Sequence, residues 1–238
     1  MRYEAVLLDL DNTLYPYAPC NEAGKRSALA AFQEHGYDFG REQFDELYAT
    51  ERTAAKRELR GTAASHNRFI YIKRMLRAHA DHHDAADALA IGEAYWEGYL
   101  DRMCPFDGVE EAMTAIRDAG APVVVVTNFT TRLQFEKLAR LGVDDGVDRL
   151  LTSEEVGREK PSALPFTTAL AALDVPPGKA VMVGDNPVAD VEGANAVGMD
   201  SVLFTGGTGD SPAEGELTGV AKPDYRVDEF TALPEVLA

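Results

Sequence analysis

Four runs of apolar residues divide the chain, and each is followed by a polar or glycine-containing turn. These runs span residues 5–10, 122–127, 180–184 and 201–204. Short apolar runs bounded by turns are typical of strands buried on both faces of a parallel sheet. Apolar residues recur at helical spacing between the later runs, over residues 108–119, 130–141, 163–173 and 188–197. This alternation predicts an α/β fold with a doubly wound, mostly parallel sheet and helices on both faces.

Residues 15–104 break the alternation, because they contain successive helical patterns and little strand signal. The patterns span residues 22–35, 41–59, 67–79 and 85–100. Ala28 and Phe32 lie on one apolar stripe, at the spacing that buries one face of a helix. We therefore expect an α/β core of residues 1–14 and 105–238, interrupted after its first strand by a helical bundle of residues 15–104.

The last part of the chain carries weaker signals. Residues 206–222 are rich in Gly, Thr, Ser and Glu, which predicts a mobile surface loop. The glycines of this loop lack the spacing of a phosphate-binding loop. Residues 223–237 predict a last short strand and a helix.

The net charge of the chain limits the classes of molecule that it is expected to bind. The formal net charge is −17 and the isoelectric point is near 4.6. Such a surface repels nucleic-acid phosphates and anionic lipids, so we expect neither nucleic acid nor a membrane as a partner. Arginine outnumbers lysine, and with abundant Asp, Ala, Val and Gly this balance resembles proteins from salt-loving organisms. An ordinary acidic cytosolic enzyme is the alternative.

The sequence also favours a cytoplasmic location. No export signal precedes the first strand pattern, and the apolar run at residues 121–126 is too short to span a bilayer. The two cysteines, Cys20 and Cys104, do not imply a disulfide framework. We expect a cytoplasmic monomer or homodimer with free thiols.

Two carboxylates, Asp9 and Asp11, directly follow the first predicted strand. Doubly wound sheets bind ligands at the carboxyl ends of their strands. Buried paired acids repel each other and raise each other's pKa, so they usually need a cation or a cationic side chain close by. Taken alone, however, the same residues could simply cap a turn.

Further polar motifs follow in a fixed order along the chain. Residues 9–13 are followed by Thr127-Asn128, then Lys160-Pro161, then Gly184-Asp185 with Asp190, and all but the lysine motif follow a predicted strand. This ordered set resembles the haloacid dehalogenase (HAD) superfamily of phosphohydrolases, which have a Rossmann-like core. The helical insert is similar to the type-1 cap of that family. The resemblance implies a magnesium-dependent phosphatase that hydrolyses small phosphate monoesters.

The resemblance also implies a role for each motif. Asp9 attacks phosphorus and forms an aspartyl-phosphate, which water then hydrolyses. Asp11 protonates the leaving alcohol oxygen and then takes a proton from that water. The Thr127 hydroxyl and the Asn128 backbone bind the phosphoryl oxygens, while Lys160 neutralises their charge and keeps the nucleophile ionised.

The magnesium ligands implied by the resemblance are all oxygen atoms, as a hard cation prefers. They are the side chains of Asp9 and Asp185 and the backbone carbonyl of Asp11. Thr13 and Asp190 support these ligands without binding the metal, and Asp190 fixes Lys160 or its loop. Residue 189 is Ala where the family often has Asn, which weakens only the role given to Asp190.

Other polar and aromatic residues receive weaker interpretations. Phe129 stands where many family members have Gly and could narrow the phosphate pocket or touch the leaving group. Tyr15, Tyr17 and Cys20 lie in the predicted linker to the bundle, where they either line the entrance or simply pack. The bundle histidines do not combine i, i+4 pairing with a third ligand, as a zinc site would require. The aromatic residues of the last bundle helix predict bundle core. These two sets are His66, His79, His82 and His83, and Tyr95, Trp96 and Tyr99.

Two other classes of protein are compatible with parts of the pattern. A 2-haloacid dehalogenase would use the same scaffold, but it has no leaving oxygen to protonate, and dehalogenases of this superfamily lack the acid found here as Asp11. A receiver-like signalling domain is a small single domain, and its phosphorylated Asp follows a middle strand. A non-catalytic phosphate-binding module is disfavoured by the intact set of charged residues. Steady phosphate release with magnesium would separate an enzyme from these last two classes.

Overall fold

The computed structural model describes residues 1–38, 40–80, 84–207 and 215–238. These residues form two compact units. The α/β unit comprises Met1–Tyr17 and Cys104–Ala238, and the helical unit comprises Ala18–Met103. Within the described ranges, no helix combines the length and the apolar character needed to cross a membrane. His82, His83 and most of the predicted loop before residue 215 lie outside the described residues.

The α/β unit is built on a parallel sheet of six strands in the part of the chain that the structure describes. The strands are β1 (Ala5–Leu8), β2 (Val123–Thr127), β3 (Arg149–Thr152), β4 (Ala180–Gly184), β5 (Asp200–Phe204) and β6 (Tyr225–Val227). Their order is β3-β2-β1-β4-β5-β6, and every neighbouring pair is parallel. The order reverses between β1 and β4, which makes the carboxyl ends of these strands the expected ligand site. The predicted α/β class is confirmed.

The central strands are apolar because both faces of the sheet are covered. Leu7 and Val124 are almost completely buried and belong to one cluster with Met182, Phe166 and Leu170. Close packing on both sides leaves no room for polar side chains within the strands. In β1, β2 and β4, polar side chains therefore appear only at the last residue of the strand or directly after it.

The described residues of the helical unit contain four α-helices. They are α1 (Tyr17–Glu34), α2 (Arg41–Glu58), α3 (Arg68–Ala80) and α4 (Ala85–Asp101). Tyr95, Trp96 and Tyr99 are buried in this unit, so they are bundle core as predicted. The Arg68 guanidinium lies over the rings of Tyr71, Tyr95 and Trp96, with its carbon 5.4–5.7 Å from the ring centroids. A cation over aromatic faces stabilises a buried guanidinium.

The predicted linker to the bundle was placed too far along the chain. Tyr17 and Cys20 lie in the first turn of α1, and Cys20 is fully buried. Sequence periodicity detected this helix only from residue 22, because its first turn holds Pro19 and lacks an apolar stripe. A proline is tolerated in the first turn, where its missing N–H has no helical partner.

In the α/β unit, helices alternate with most of the strands along the chain. They are α5 (Val109–Asp118), α6 (Thr131–Leu141), α7 (Ser153–Val156), α8 (Ala163–Leu173), α9 (Gly193–Val197) and α10 (Leu233–Val236). The 3-10 turns among the described residues are Ala63–His66, Asp144–Gly146, Pro177–Lys179, Gly219–Ala221 and Phe230–Ala232. The predicted final strand and helix correspond to β6 and α10.

The helix predicted over residues 188–197 is not continuous. A π-helical turn, Pro187–Glu192, precedes the short helix α9. The Asn186 side chain accepts hydrogen bonds from the N–H groups of Val188 and Ala189, at 3.0 and 2.9 Å. Asp190 Oδ2 accepts from the Asn186 N–H at 3.0 Å. These side-chain contacts start a wider turn than apolar periodicity alone predicts.

Candidate active site

The predicted site residues follow three neighbouring strands of the sheet. Leu8 pairs with Val125 of β2 and with Val183 of β4. Asp9 follows Leu8 directly, Thr127 is the last residue of β2, and Asp185 follows the last residue of β4. The parallel register therefore brings all three motifs to one edge of the sheet.

Lys160 connects two buried carboxylates at this edge. Its Nζ donates to Asp9 Oδ1 at 2.7 Å and to Asp190 Oδ1 at 2.6 Å. Asp190 is held against the end of β4, where a Cβ on Gly184 would lie 2.2 Å from Asp190 Oδ2. Glycine at position 184 therefore permits this close approach.

The lysine keeps its charge despite being buried. Burial lowers the pKa of an ammonium group, but the carboxylates of Asp190 and Asp9 outweigh it, so the pKa of Lys160 is raised. The lysine does not, however, keep the pKa of Asp9 low. The pKa of Asp9 is raised to about 8, because burial and the carboxylates of Asp190, Asp185 and Asp11 together outweigh the lowering by Lys160.

Thr13 and Asn12 hold Asp185 beside Asp9. The fully buried Thr13 hydroxyl lies 3.3 Å from Asp9 Oδ2 and 3.4 Å from Asp185 Oδ1, and it accepts from the Asp185 N–H at 3.1 Å. Asn12 Nδ2 donates to Asp185 Oδ2 at 2.7 Å. Asn12 has a φ of 66°, a left-handed conformation that asparagine tolerates better than most residues. The tight turn after β1 therefore fixes both carboxylates.

The carboxylates form a group that fits a divalent cation. One oxygen from each of Asp9, Asp185 and Asp190 lies within 4.8 Å of the others. The pKa of Asp185 is raised to about 6, chiefly by burial and by the neighbouring Asp190 carboxylate. Acids crowded in this way are stabilised by a nearby positive ion, and an all-oxygen set suits a hard one. Asp9 and Asp185, whose side chains are the predicted ligands, both belong to this group, and Asp190 also accepts hydrogen bonds from Lys160 and Asn186.

Asn128 and Thr127 have different neighbours. Asn128 pairs with the backbone of Lys160, since Nδ2 donates to its carbonyl at 3.0 Å and Oδ1 accepts from its N–H at 2.7 Å. The asparagine side chain thus holds the lysine loop. Thr127 Oγ1 accepts a hydrogen bond from Gln134 Nε2 at 2.6 Å.

The side chain of Asp11 is bound by residues that sequence reasoning did not identify. Lys137 Nζ and the Tyr15 hydroxyl both donate to Oδ1, and Gln134 Nε2 donates to Oδ2 at 3.0 Å. Burial alone would raise the pKa of Asp11. The Lys137 charge, together with hydrogen bonds from Lys137, Tyr15 and Gln134, reverses this effect and lowers the pKa to about 2. Asp11 and Asp9 thus differ in pKa although only one residue separates them.

A sequence signal for Lys137 did exist. On α6 it is buried together with Leu133, Leu138 and Leu141. A lysine on the apolar face of a helix needs a partner, because an unpaired buried charge is strongly destabilising. The helical pattern indicates the apolar face of α6, but it does not indicate that Asp11 is the partner of Lys137.

The weaker interpretations have mixed outcomes. Phe129 is buried, with its ring centroid 4.5 Å from Lys137 Nζ. Its contact with a substrate stays a prediction. His79 packs edge-on against the Tyr37 ring, with centroids 6.2 Å apart, and His66 ends a 3-10 turn.

Comparison with known proteins identifies the family. The sequence matches the haloacid dehalogenase-like hydrolases over residues 3–198. The chain belongs to this family. It is 52% identical over 200 residues to a ribulose-1,5-bisphosphate 5-phosphatase of Halopiger xanaduensis, covering 84% of each chain. It is 31% identical to a glyceraldehyde 3-phosphate phosphatase of Methanopyrus kandleri, covering 98% of this chain and 97% of the relative.

A solved structure supports the fold. The structure of a 2-haloacid dehalogenase from Pseudomonas syringae pv. Tomato superposes with a TM-score of 0.76, at 24% identity, covering 99% of this chain and 98% of the other. At this identity the likeness shows the fold alone. The sequence-based predictions of the family and of the fold are therefore confirmed, and the phosphatase relatives agree with the predicted phosphate-ester chemistry.

Proposed function

We propose that this chain is a magnesium-dependent phosphatase acting on small phosphorylated sugars, with Asp9 as nucleophile and Asp11 as acid and base. One observation carries the proposal: a buried lysine contacts Asp9, while Asp185 stands close enough to share a cation with it. Lys160 supplies one positive charge for a phosphoryl group beside the nucleophile, and a cation held by Asp9 and Asp185 would supply a second. Hydrolysis of a phosphate monoester is very slow without such help.

The first step transfers the phosphoryl group to the enzyme. An Asp9 oxygen attacks phosphorus in line with the leaving alcohol, and the bond between phosphorus and the ester oxygen breaks. Because its lowered pKa keeps Asp11 ionised in the free site, Asp11 first takes a proton from the substrate monoanion or from solvent. It then gives this proton to the ester oxygen, so the product leaves as a neutral alcohol. Lys160 neutralises charge on the phosphoryl oxygens, and the Thr127 hydroxyl and the Asn128 N–H bind them.

The second step releases phosphate. Asp11, now a carboxylate, takes a proton from a water molecule whose oxygen attacks phosphorus of the aspartyl-phosphate. The bond between phosphorus and the Asp9 oxygen breaks, which restores the Asp9 carboxylate and leaves the proton on Asp11. The side chains of Asp9 and Asp185 and the backbone carbonyl of Asp11 would hold magnesium, which acts as a Lewis acid on the phosphoryl group when bound. Thr13 and Asp190 support these ligands through the contacts described above.

The relatives favour a particular substrate class. Ribulose 1,5-bisphosphate and glyceraldehyde 3-phosphate, which name the relatives, are both sugar phosphates esterified at a primary alcohol. The helical unit interrupts the α/β unit in the sequence after β1, as the type-1 cap of the predicted family does. We assign it the role of a cap that selects the sugar and excludes water.

The experiment is a phosphate-release assay on the purified full chain. The substrates are ribulose 1,5-bisphosphate, glyceraldehyde 3-phosphate, phosphoglycolate and a nucleoside monophosphate, each with magnesium or with a chelator, in low and in molar salt. We expect release from a sugar phosphate only with magnesium, and abolished release for Asp9→Asn. Asp145→Asn, at an exposed carboxylate, is the matched control and should retain activity.

Two results would contradict the proposal. Undiminished turnover in chelator would remove the metal from the mechanism. Chloride release from 2-chloropropionate, with every phosphate ester left intact, would make the chain a dehalogenase instead.

A further inference from the structure

Both oxygens of the Asp11 carboxylate are held from inside the α/β unit. Lys137 and Tyr15 donate to one oxygen, and Gln134 donates to the other at 3.0 Å. Gln134 and Lys137 are three residues apart on α6, hence on the same face of the helix, and both are buried. One helix therefore fixes the direction in which this carboxylate points.

The Gln134 amide also sets the hydroxyl of Thr127. Its Nε2 donates to Thr127 Oγ1 at 2.6 Å as well as to Asp11. An amide nitrogen carries two hydrogens, so each contact takes one of them. If the Gln134 amide were rotated by 180°, its oxygen would face the Asp11 carboxylate, and the repulsion between the two oxygens excludes this orientation. Because Thr127 Oγ1 accepts from Gln134, its own hydrogen is directed to another acceptor.

The other end of the same amide is left without a partner. Gln134 Oε1 is buried and has no hydrogen-bond partner among the described residues. A buried acceptor without a partner is destabilising. An apolar residue would avoid this cost, so the glutamine is better explained by its two donor contacts than by packing.

We infer that Lys137 and Gln134 are positioning residues for the acid and base of the reaction. Lys137 holds the Asp11 carboxyl group toward the ester oxygen. Gln134 links that carboxyl group to Thr127, so that proton donor and phosphoryl-binding hydroxyl keep a fixed separation. This inference rests on the proposed phosphatase function, and it assigns neither residue a direct contact with substrate.

The test compares two leaving groups. An alkyl phosphate such as the preferred sugar phosphate needs a proton on its leaving oxygen, whereas p-nitrophenyl phosphate releases a weakly basic phenolate that needs little help. The constant kcat/KM is the correct readout, because it covers only the steps up to departure of the leaving group. Hydrolysis of the shared phospho-enzyme does not enter it.

The variant Lys137→Met keeps the unbranched side chain and removes the ammonium group. General acid catalysis contributes about 10²–10⁴-fold, so we expect kcat/KM for the sugar phosphate to fall about 10–100-fold and that for p-nitrophenyl phosphate by less than about 3-fold. Gln134→Met should lower both, because Thr127 also loses its orientation. Tyr15→Phe removes one donor and should give a smaller loss, still selective for the sugar phosphate.

Controls separate these effects from misfolding and from failure of the proposed function. Lys179→Met, at an exposed lysine 3.7 Å from Glu4 Oε1, should change neither constant. Circular dichroism and thermal unfolding report whether each variant folds, and Tyr15→Phe decides the question if Lys137→Met does not fold. Equal losses on both esters for the deciding variant, or none, overturn the inference. A wild-type chain that releases phosphate from no ester overturns the proposed function itself.

Discussion

Replacing Asp9 with asparagine should stabilise the metal-free protein at alkaline pH. Burial and the neighbouring carboxylates together raise the pKa of Asp9 from 3.8 to about 8. A group whose pKa is raised by folding contributes stability below its unfolded pKa, and this contribution is lost as the pH rises through the folded value. The wild-type chain without metal should therefore lose stability between about pH 4 and pH 8. An asparagine side chain cannot ionise, so the variant should escape this part of the loss.

The size of the effect follows from the pKa shift. Each unit corresponds to about 1.36 kcal/mol, so a rise of about four units sets an upper bound near 5 kcal/mol at pH 8. Asp190 and Asp185 share the same electrostatic repulsion, and the variant loses one contact of Lys160. We therefore expect a gain of about 1–3 kcal/mol at pH 8 and less than about 1 kcal/mol at pH 5.

Thermal unfolding with a chelator measures this difference. A gain of about 1 kcal/mol corresponds to about 2–4 °C in Tm for a chain of this size. Magnesium should raise the Tm of the wild type, because a ligand bound only by the folded state stabilises it, and should raise that of Asp9→Asn much less. Asp145→Asn controls for net charge. The reasoning is refuted if Asp9→Asn is no more stable than wild type at pH 8 without metal.

Three further predictions test the core and the site. Leu7→Ala should cost about 2–5 kcal/mol of unfolding free energy in urea, because it opens a cavity between two covered faces; a loss below about 0.5 kcal/mol would show that Leu7 is not in a close-packed core. Gly184→Ala should cost about 1–3 kcal/mol by the same measurement, since its Cβ would clash with Asp190, whereas unchanged stability would argue against that close approach. The lowered pKa of Asp11 adds stability above its unfolded value that is lost as the pH falls from about 4 to about 2. Acid titration should show this loss in the wild type and not in Lys137→Met; identical acid midpoints would exclude the Lys137 contribution.

The strands show which parts of the fold the sequence could predict. The runs at β1, β2, β4 and β5 were found because strands covered on both faces are continuously apolar. β3 was not predicted, because Arg149 is exposed and Leu150 and Leu151 are only partly buried. An edge strand with this pattern resembles a loop until its pairing with β2 is known.

The site shows a similar division. Asp9, Thr127 and Asp185 were found because each lies at the end of a predicted strand or directly after it, and parallel strands end at the same edge of the sheet. The roles of Asn12 and Gln134 were not predicted, because they depend on contacts with residues far away in the sequence. Local spacing predicts the face of a helix but not the side chain on the opposite element.

The charges around Lys160 determine how the site takes up its ion. Asp9, Asp185 and Asp190 carry three negative charges when ionised and the lysine one positive charge, so a divalent ion would bring the group to electroneutrality. Without the ion, protons supply part of the missing charge, since the pKa values of Asp9 and Asp185 are raised to about 8 and about 6. Ion uptake must then displace protons, so metal affinity should increase with pH. A phosphate dianion that arrives before the ion meets net repulsion, which favours an order of binding in which the metal comes first.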